Sequence, residues 1–486
     1  MKQFTMASLS AFLTDLQSIQ YIHWKSNNHL AAALAGKTDL DLLVAQEDAQ
    51  RFRQLALQHG FKSIMSPPPK QFPGVEDYLG FDPATGRFFH LHVYYRLVLG
   101  QPYVKNHRLP LEDALLTSAW RHEPEQVMVP TPEWELVVLV ARVLLKIGTR
   151  DLLRPILDPA PLPELLQAEL EYLTAHVHQE EWQLVLEAAN GVIPSEVVLA
   201  FLEAWKAGRL TPLCLFRLRA RLRRALSPYQ RAPRWRTTGL YLARMLQSLW
   251  PWGHKVRKRM VTGGLTIAFV GADGAGKSTI TADTCRWLSW KLDVRTLYMG
   301  TQQPSWMSRS AHLPFRVLQR LQRLGEARLG ATNALTRVIV TMRHWVESVH
   351  ALALGLDRYR RSRLGRRAAD QGTVVLFDRF PLPEVYEAMD GPRISPSWGP
   401  LCEKLAQVER RLYQAIAPPD CIIALQVSPE VALARKPDHV PERVTAKSTA
   451  LRKLHGHHAL RLTHVDADAP LEQVLLQVKR VVWSLL

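Results

Sequence analysis

The residues with the clearest chemical meaning form the run Gly271-Ala272-Asp273-Gly274-Ala275-Gly276-Lys277-Ser278-Thr279. Its spacing, glycine, four residues, then Gly-Lys-Ser, is that of a loop that cradles phosphates. Glycines let successive backbone N–H groups curl around phosphate oxygens with no Cβ in the way. Lys277 is then expected to reach the β- and γ-phosphates of ATP, and Ser278 to offer its hydroxyl to Mg²⁺. The dipole of a following helix would add to the pull on the anion. Gly271, Asp273, Gly274, Ala275, Gly276, Lys277, Ser278 and Thr279 are therefore the expected nucleotide contacts. A second group is Asp378-Arg379-Phe380, where a carboxylate at the end of an apolar run could hold the Mg²⁺ shell. An ion pair between Asp378 and Arg379 in a loop would use the same residues. Further along, Arg435, Lys436, Arg443, Lys447, Arg452 and Lys453 give the run of cations that a lid over transferring phosphates needs. A solvated helix face would carry the same charges. Near the N-terminus, Asp39 and Asp41 are spaced to project from one face of a strand, where two carboxylates could bind a divalent cation.

These groups need elements to position them. Leu265 to Val270 (LTIAFV) is strand-like and leads into the loop, and Thr279 to Trp290 is helix-like. Thr373 to Phe377 and Cys421 to Val427 are continuous apolar runs, the pattern of buried parallel strands. Asp378 would then stand at a strand's C-terminal edge, where open α/β sheets bind ligands. The strand-like THVDADAP and a helix over Leu471 to Leu486 complete a P-loop, parallel-sheet domain. In the first half, Tyr21 to Ser26 reads as a strand, Asn28 to Leu34 as a helix, and Lys37 to Val44 as a strand carrying the Asp pair. On the later strand Phe88 to Tyr95, His90, His92 and Tyr94 share a face. Leu109 to Leu226 reads as a helical extension.

At 486 residues the chain exceeds the usual reach of one core, so more than one domain is expected. Composition shifts divide it into residues 1–226, a basic Trp-rich linker 227–262, and residues 263–486. The net charge of +18 suits anionic partners, but phosphate binding alone asks for cations, and no nucleic-acid recognition motif is present. The linker sets Trp250 and Trp252 beside Lys255, Arg257, Lys258 and Arg259, which permits peripheral contact with a lipid surface; a helix packed between domains, with a solvated basic end, is the preferred reading. No apolar run is long enough to span a membrane, and the N-terminus lacks a signal-peptide pattern. The four cysteines form no CxxC pair, so disulfide and zinc frameworks are not expected, and a cytoplasmic setting is.

Gly263 to Leu486 resembles the thymidylate kinase family of nucleoside monophosphate kinases. The resemblance lies in Asp273-Gly274-x-Gly276-Lys277-Ser278-Thr279, in Asp378-Arg379-Phe380, in SPEVALARK before the lid, and in the VDADAPLEQV ending. It implies that Arg379 contacts the acceptor phosphate, that Arg435 and Lys436 open the lid, and that Arg358 stands near an acceptor-side arginine of the family. Lys277, Asp378, Arg379 and Arg435 are its implied catalytic set. Two departures stand out. Val270 replaces a carboxylate ahead of the loop, and PLPEVYEAMDGPRISP (Pro381 to Pro396) replaces the block that lines a thymine pocket. Leu16 to Leu99 resembles the nucleotidyltransferase-fold superfamily, through a small-residue turn followed by Asp39-x-Asp41 as metal ligands. Here His90 and His92 stand where that superfamily supplies a third carboxylate, and Lys25 stands where it often has glycine.

The fold expected is therefore α/β: a P-loop parallel-sheet kinase domain plus an N-terminal α+β nucleotidyltransferase-like domain with a helical extension. The leading functional reading is an ATP-dependent phosphotransferase acting on a nucleotide or other small acceptor, with dTMP disfavoured and a homodimer allowed. Two alternatives use the same residues. One is a regulatory ATP-binding protein whose P-loop domain controls a degenerate first domain. The other is a bifunctional kinase and nucleotidyltransferase.

Overall fold

A computed structural model describes residues 7–101, 104–146, 162–249, 257–301, 306–329, 333–385, 390–438, 440–452, 454 and 461–486. Trp250, Trp252, Lys255 and Lys453 lie outside the described residues, as does the side chain of Arg443. The chain forms two compact units, Met1–Lys258 and Arg259–Leu486. Among the described residues, no helix is long and apolar enough to cross a membrane.

The first unit is built on strands β1 (Tyr21–His23), β2 (Leu40–Val44), β3 (Lys62–Met65), β4 (Val75–Asp82) and β5 (Arg87–Tyr94). They lie in the order β1-β2-β5-β4-β3; β2 and β5 run parallel, and the other neighbours antiparallel. Alternation sorts their side chains. Leu40, Leu42, Leu91 and Val93 face a core filled by Leu9, Phe12 and Leu16 of helix α1 (Ala7–Leu16) and by Phe52 and Ala56 of α2 (Ala49–Gln58). Residues one step out of phase, among them Asp41, His90 and His92, emerge on the opposite face. Leu43 and Tyr94 on that face join a second core around α3 (Pro132–Lys146), a helix apolar on nearly every side because other helices surround it.

The second unit is a five-stranded parallel sheet. Its strands are β6 (Leu265–Gly271), β7 (Val294–Tyr298), β8 (Val374–Asp378), β9 (Cys421–Gln426) and β10 (Arg461–Asp466), in the order β7-β8-β6-β9-β10. The first strand is central, and Ile267, Ala268, Phe269 and Val270 are fully buried, as continuous apolar strands covered on both faces must be. The chain extends the sheet to one side of β6 through β7 and β8, then crosses to the other side at β9. That reversal opens a crevice at the strands' C-terminal ends. Three features border it: Gly271 at the end of β6, Asp378 at the end of β8, and helix α4 (Lys277–Leu288). Two long helices, α5 (Trp306–Leu329) and α6 (Ala334–Asp370), occupy the Arg-rich stretch before β8. Helices α7 (Pro400–Gln414), α8 (Pro429–Arg435), α9 (Pro441–Arg452) and α10 (Leu471–Leu485) complete the unit.

Candidate active site

The loop between β6 and α4 turns on two left-handed glycines, Gly274 (φ +92°) and Gly276 (φ +82°), the latter preceding the first residue of α4. At Gly274 the constraint is also spatial: a Cβ would sit 2.5 Å from the carbonyl oxygen of Ala432 on α8. Ala275 is buried, and its N–H donates to Ala272. Lys277 is buried with its Nζ folded onto the loop, donating to the carbonyls of Gly271 (2.9 Å) and Ala272 (2.7 Å). Burial, reinforced by the charge of Arg379 and Lys447, pushes its ammonium down to about 8 against the opposing pull of Asp273.

Ser278 and Thr279 are exposed on the first turn of α4. The Ser278 hydroxyl donates to Asp378 Oδ2 at 2.8 Å. The other oxygen, Asp378 Oδ1, is buried with no hydrogen-bond partner among the described residues. A hydroxyl and a carboxylate oxygen side by side, one lone pair still unused, form the hard-oxygen donor set that Mg²⁺ takes. The structure does not pair Asp378 with Arg379. Arg379 instead adopts a left-handed backbone (φ +70°), sparsely populated for a residue with a side chain. Its N–H donates to Phe269, and its guanidinium reaches Asp273 Oδ1 at 3.1 Å and Asp390 Oδ2 at 3.5 Å.

Asp273 thereby becomes the focus of the loop. Lys447, on α9, donates to its Oδ2 at 2.6 Å, Arg379 to its Oδ1, and Lys277 Nζ lies 4.0 Å away. Burial opposes ionisation of Asp273, but these cations outweigh it and hold the carboxyl well below its usual range. Among the described side chains between Arg435 and Arg452, Lys447 is brought to the loop. Nothing in its local sequence distinguishes it, since its partner lies 174 residues away. Arg435 and Lys436 are exposed at the end of α8. Arg443 is a residue of α9. Arg358 on α6 is almost fully buried; it donates to the Met299 carbonyl, to the Tyr413 hydroxyl and to Asp390.

In the first unit, Asp39 and Asp41 do not share a single environment. Asp41 pairs with Lys25 at 2.8 Å, whereas an Asp39 oxygen lies 3.0 Å from Nδ1 of His90. The two histidines do not stand alone: a carboxylate from the neighbouring strand, Asp77 on β4, lies beside them. Asp77 Oδ1 lies 2.5 Å from His92 Nδ1, 3.1 Å from His90 Nε2 and 2.5 Å from Lys258 Nζ, and Oδ2 accepts from Ser66. Burial works against its ionisation, yet the histidines and Lys258 hold Asp77 well below the usual carboxylate range. The turn DPATGR carried the missing signal. A hairpin closed there pairs Asp82 with Arg87, and counting back sets Asp77 opposite His92 on the same face.

The chain is 34% identical over 223 residues to the uncharacterized ATP-binding protein YghR of Escherichia coli, spanning 44% of this chain and 86% of YghR. The chain belongs to this family of ATP-binding proteins. Similarity also extends to YghS of the same organism, at 27% identity over 45% of this chain and 93% of YghS. A thymidylate kinase from Symbiobacterium thermophilum is 29% identical over 45% of this chain and 93% of its own length. No protein-family model matches the chain. A P-loop, kinase-like region thus accounts for about 45% of the chain.

Proposed function

We propose that the second unit binds Mg-ATP and transfers its γ-phosphate to a small acceptor, a nucleotide or a molecule of similar size. What supports this is one arrangement: Lys277 from the loop, Arg379 from the end of β8 and Lys447 from α9 converge on Asp273 at the mouth of the phosphate loop. A nucleotide switch needs only the loop lysine. Phosphoryl transfer needs cations on both sides of the migrating group, because charge spreads over its oxygens as the bond to the leaving group breaks. In this reading Asp273 holds the cations until the triphosphate takes them over. Mg²⁺ is assigned to Ser278 and Asp378, and supplies charge neutralisation at the β- and γ-oxygens when bound. Arg379 faces the acceptor phosphate, while Arg435, Lys436 and Arg443 belong to the lid side.

The acceptor side differs from a thymine pocket in charge as well as sequence. Asp390, within the Pro381 to Pro396 block, already ion-pairs with both Arg358 and Arg379. We therefore infer that dTMP is a poor acceptor; selective, efficient dTMP phosphorylation in steady-state assays would overturn that inference. For the first unit the proposal remains a nucleotidyltransferase-like domain without transfer activity, since Asp41 is already neutralised by Lys25. Label from an α-labelled triphosphate reaching an acceptor, and lost in Asp39→Asn with Asp41→Asn, would contradict this. A cytoplasmic setting fits both parts. The proposal as a whole is tested by incubating the protein with Mg-ATP and pooled nucleotides and sugars, read by acceptor-dependent ADP release.

A further inference from the structure

Among the described residues, one group of three metal-ligating side chains comes together: Asp77, His90 and His92, with donor atoms all within 4.8 Å of one another. They lie on the two antiparallel strands β4 and β5, and Asp77 and His90 are buried. Their surroundings follow the logic of a cation site. Lys258 Nζ, itself a cation, sits 2.5 Å from Asp77 Oδ1 and 3.0 Å from His90 Nε2. His90 Nε2 donates to Asp77 Oδ1 in one tautomer; in the other it presents its lone pair to the Lys258 ammonium, which has only donors. In this second tautomer the His90 proton is on Nδ1, which faces an Asp39 oxygen at 3.0 Å but makes no hydrogen bond of good angle. A carboxylate behind the far nitrogen of a histidine is the outer-shell arrangement that orients an imidazole for a metal. His92 presents Nδ1 to the same Asp77 oxygen.

The geometry points to a divalent transition-metal site of the Zn²⁺ type in the first unit, with Asp77, His90 and His92 as ligands, Asp39 orienting His90, and Lys258 as the resident cation that the metal displaces. Two imidazoles and one carboxylate select a borderline ion over Mg²⁺, which prefers oxygen alone. A tetrahedral ion with bonds of about 2.0–2.2 Å holds its ligand atoms about 3.3 Å apart. The 3.1 Å between His90 Nε2 and Asp77 Oδ1 is already close to this, and the 2.5 Å between His92 Nδ1 and Asp77 Oδ1 opens once the direct hydrogen bond gives way to the metal. Three protein ligands leave a fourth position open, as in catalytic rather than structural zinc sites. While Lys258 occupies the site, apparent affinity falls by the fraction of time the ligands are uncovered. Asp39, read from the sequence as half of a paired-carboxylate site, is thereby reassigned to an outer, positioning role.

The test uses the full-length protein, stripped with chelator and titrated with Zn²⁺ alone in excess Mg²⁺, which fills any site built only from oxygen. Expected is one Zn²⁺ per chain by elemental analysis, and a tetrahedral visible spectrum when Co²⁺ replaces it. Asp77→Ala and His92→Ala should each weaken Zn²⁺ binding more than about 100-fold, and Asp39→Asn about 10- to 100-fold. Lys258→Met, which leaves every ligand in place, should tighten it by roughly tenfold or more. That variant and Asp39→Asn keep the test valid if removing a ligand unfolds the domain. Zn²⁺ binding that His92→Ala leaves unchanged, or that Lys258→Met does not tighten, overturns the inference.

Discussion

Asp273→Asn separates a structural carboxylate from one that stands in for phosphate. Asp273 contacts Lys447 at 2.6 Å and Arg379 at 3.1 Å, with Lys277 at 4.0 Å, and its side chain is 16% exposed. Exposed ion pairs contribute about 0.2–1 kcal/mol, whereas breaking a buried one costs about 3–5 kcal/mol. A partly buried carboxylate serving three cations falls between, so the substitution should cost the nucleotide-free protein about 2 kcal/mol. For a unit of this size that is about 4–8 °C in Tm. The sign with pH follows from the depressed pKa of Asp273: its contribution is fully present above the usual carboxylate value near 4 and is lost as pH falls below it. The substitution should therefore lower stability at neutral pH and flatten the acid limb. Mg-ATP should reverse the loss, because triphosphate oxygens then satisfy the same cations and no aspartate competes for them. The assay is thermal unfolding with and without Mg-ATP, alongside calorimetric ATP binding. Expected are a lower nucleotide-free Tm, a larger ATP-induced rise than in the wild type, and equal or tighter ATP binding. An unchanged nucleotide-free Tm together with ATP binding weakened tenfold or more would refute the reasoning, since Asp273 would then be acting for the nucleotide rather than in its place.

Three further outcomes are expected. Lys277→Ala should keep the fold by circular dichroism and lower kcat about 10²- to 10³-fold, the usual effect of removing one group that stabilises transition-state charge; undiminished turnover would rule out its role. Gly274→Ala places a Cβ 2.5 Å from the Ala432 oxygen at φ +92°, so it should destabilise the loop by about 1–3 kcal/mol and weaken ATP binding, read by calorimetry. Glu135, buried on α3 with its carboxylate on the backbone and side-chain N–H groups of Asn27, is pushed by burial from the usual 4.5 up to about 7. Its folded state keeps a proton that the unfolded state has lost, so its contribution is full below about 4.5 and disappears as pH rises through 7. Denaturant titrations should show stability falling by about 2–3 kcal/mol from pH 5 to pH 8, and Glu135→Gln should flatten that slope.

What could be read from the sequence is what is local. The LTIAFV strand, the glycine loop and the helix after it adjoin in the chain, and backbone chemistry links them directly. The apolar runs ending at Asp378 and starting at Cys421 are strands because parallel sheets bury both faces. What could not be read depends on chain crossings. Arg379 reaches Asp273 across 106 residues, Glu135 reaches Asn27 across 108, and Lys258 reaches Asp77 across 181. No periodicity encodes such pairings, which arise only once sheet order is set. Asp77 is an intermediate case, since a turn five residues beyond it fixes the hairpin register. Strand alternation sets the His90 and His92 face, but it gives no hint that the neighbouring strand provides the anion.

The central claim is phosphoryl transfer, and mass spectrometry of the acceptor tests it most directly. The full-length protein is incubated with Mg-ATP and a library of nucleotides and sugars, and each library member is examined for a gained phosphate. Phosphoryl transfer predicts at least one phosphorylated acceptor, formed together with acceptor-dependent ADP and absent when Lys277→Ala replaces the wild type. ATP bound tightly by the wild-type protein, with no acceptor phosphorylated and ADP release unaffected by the library, would contradict it.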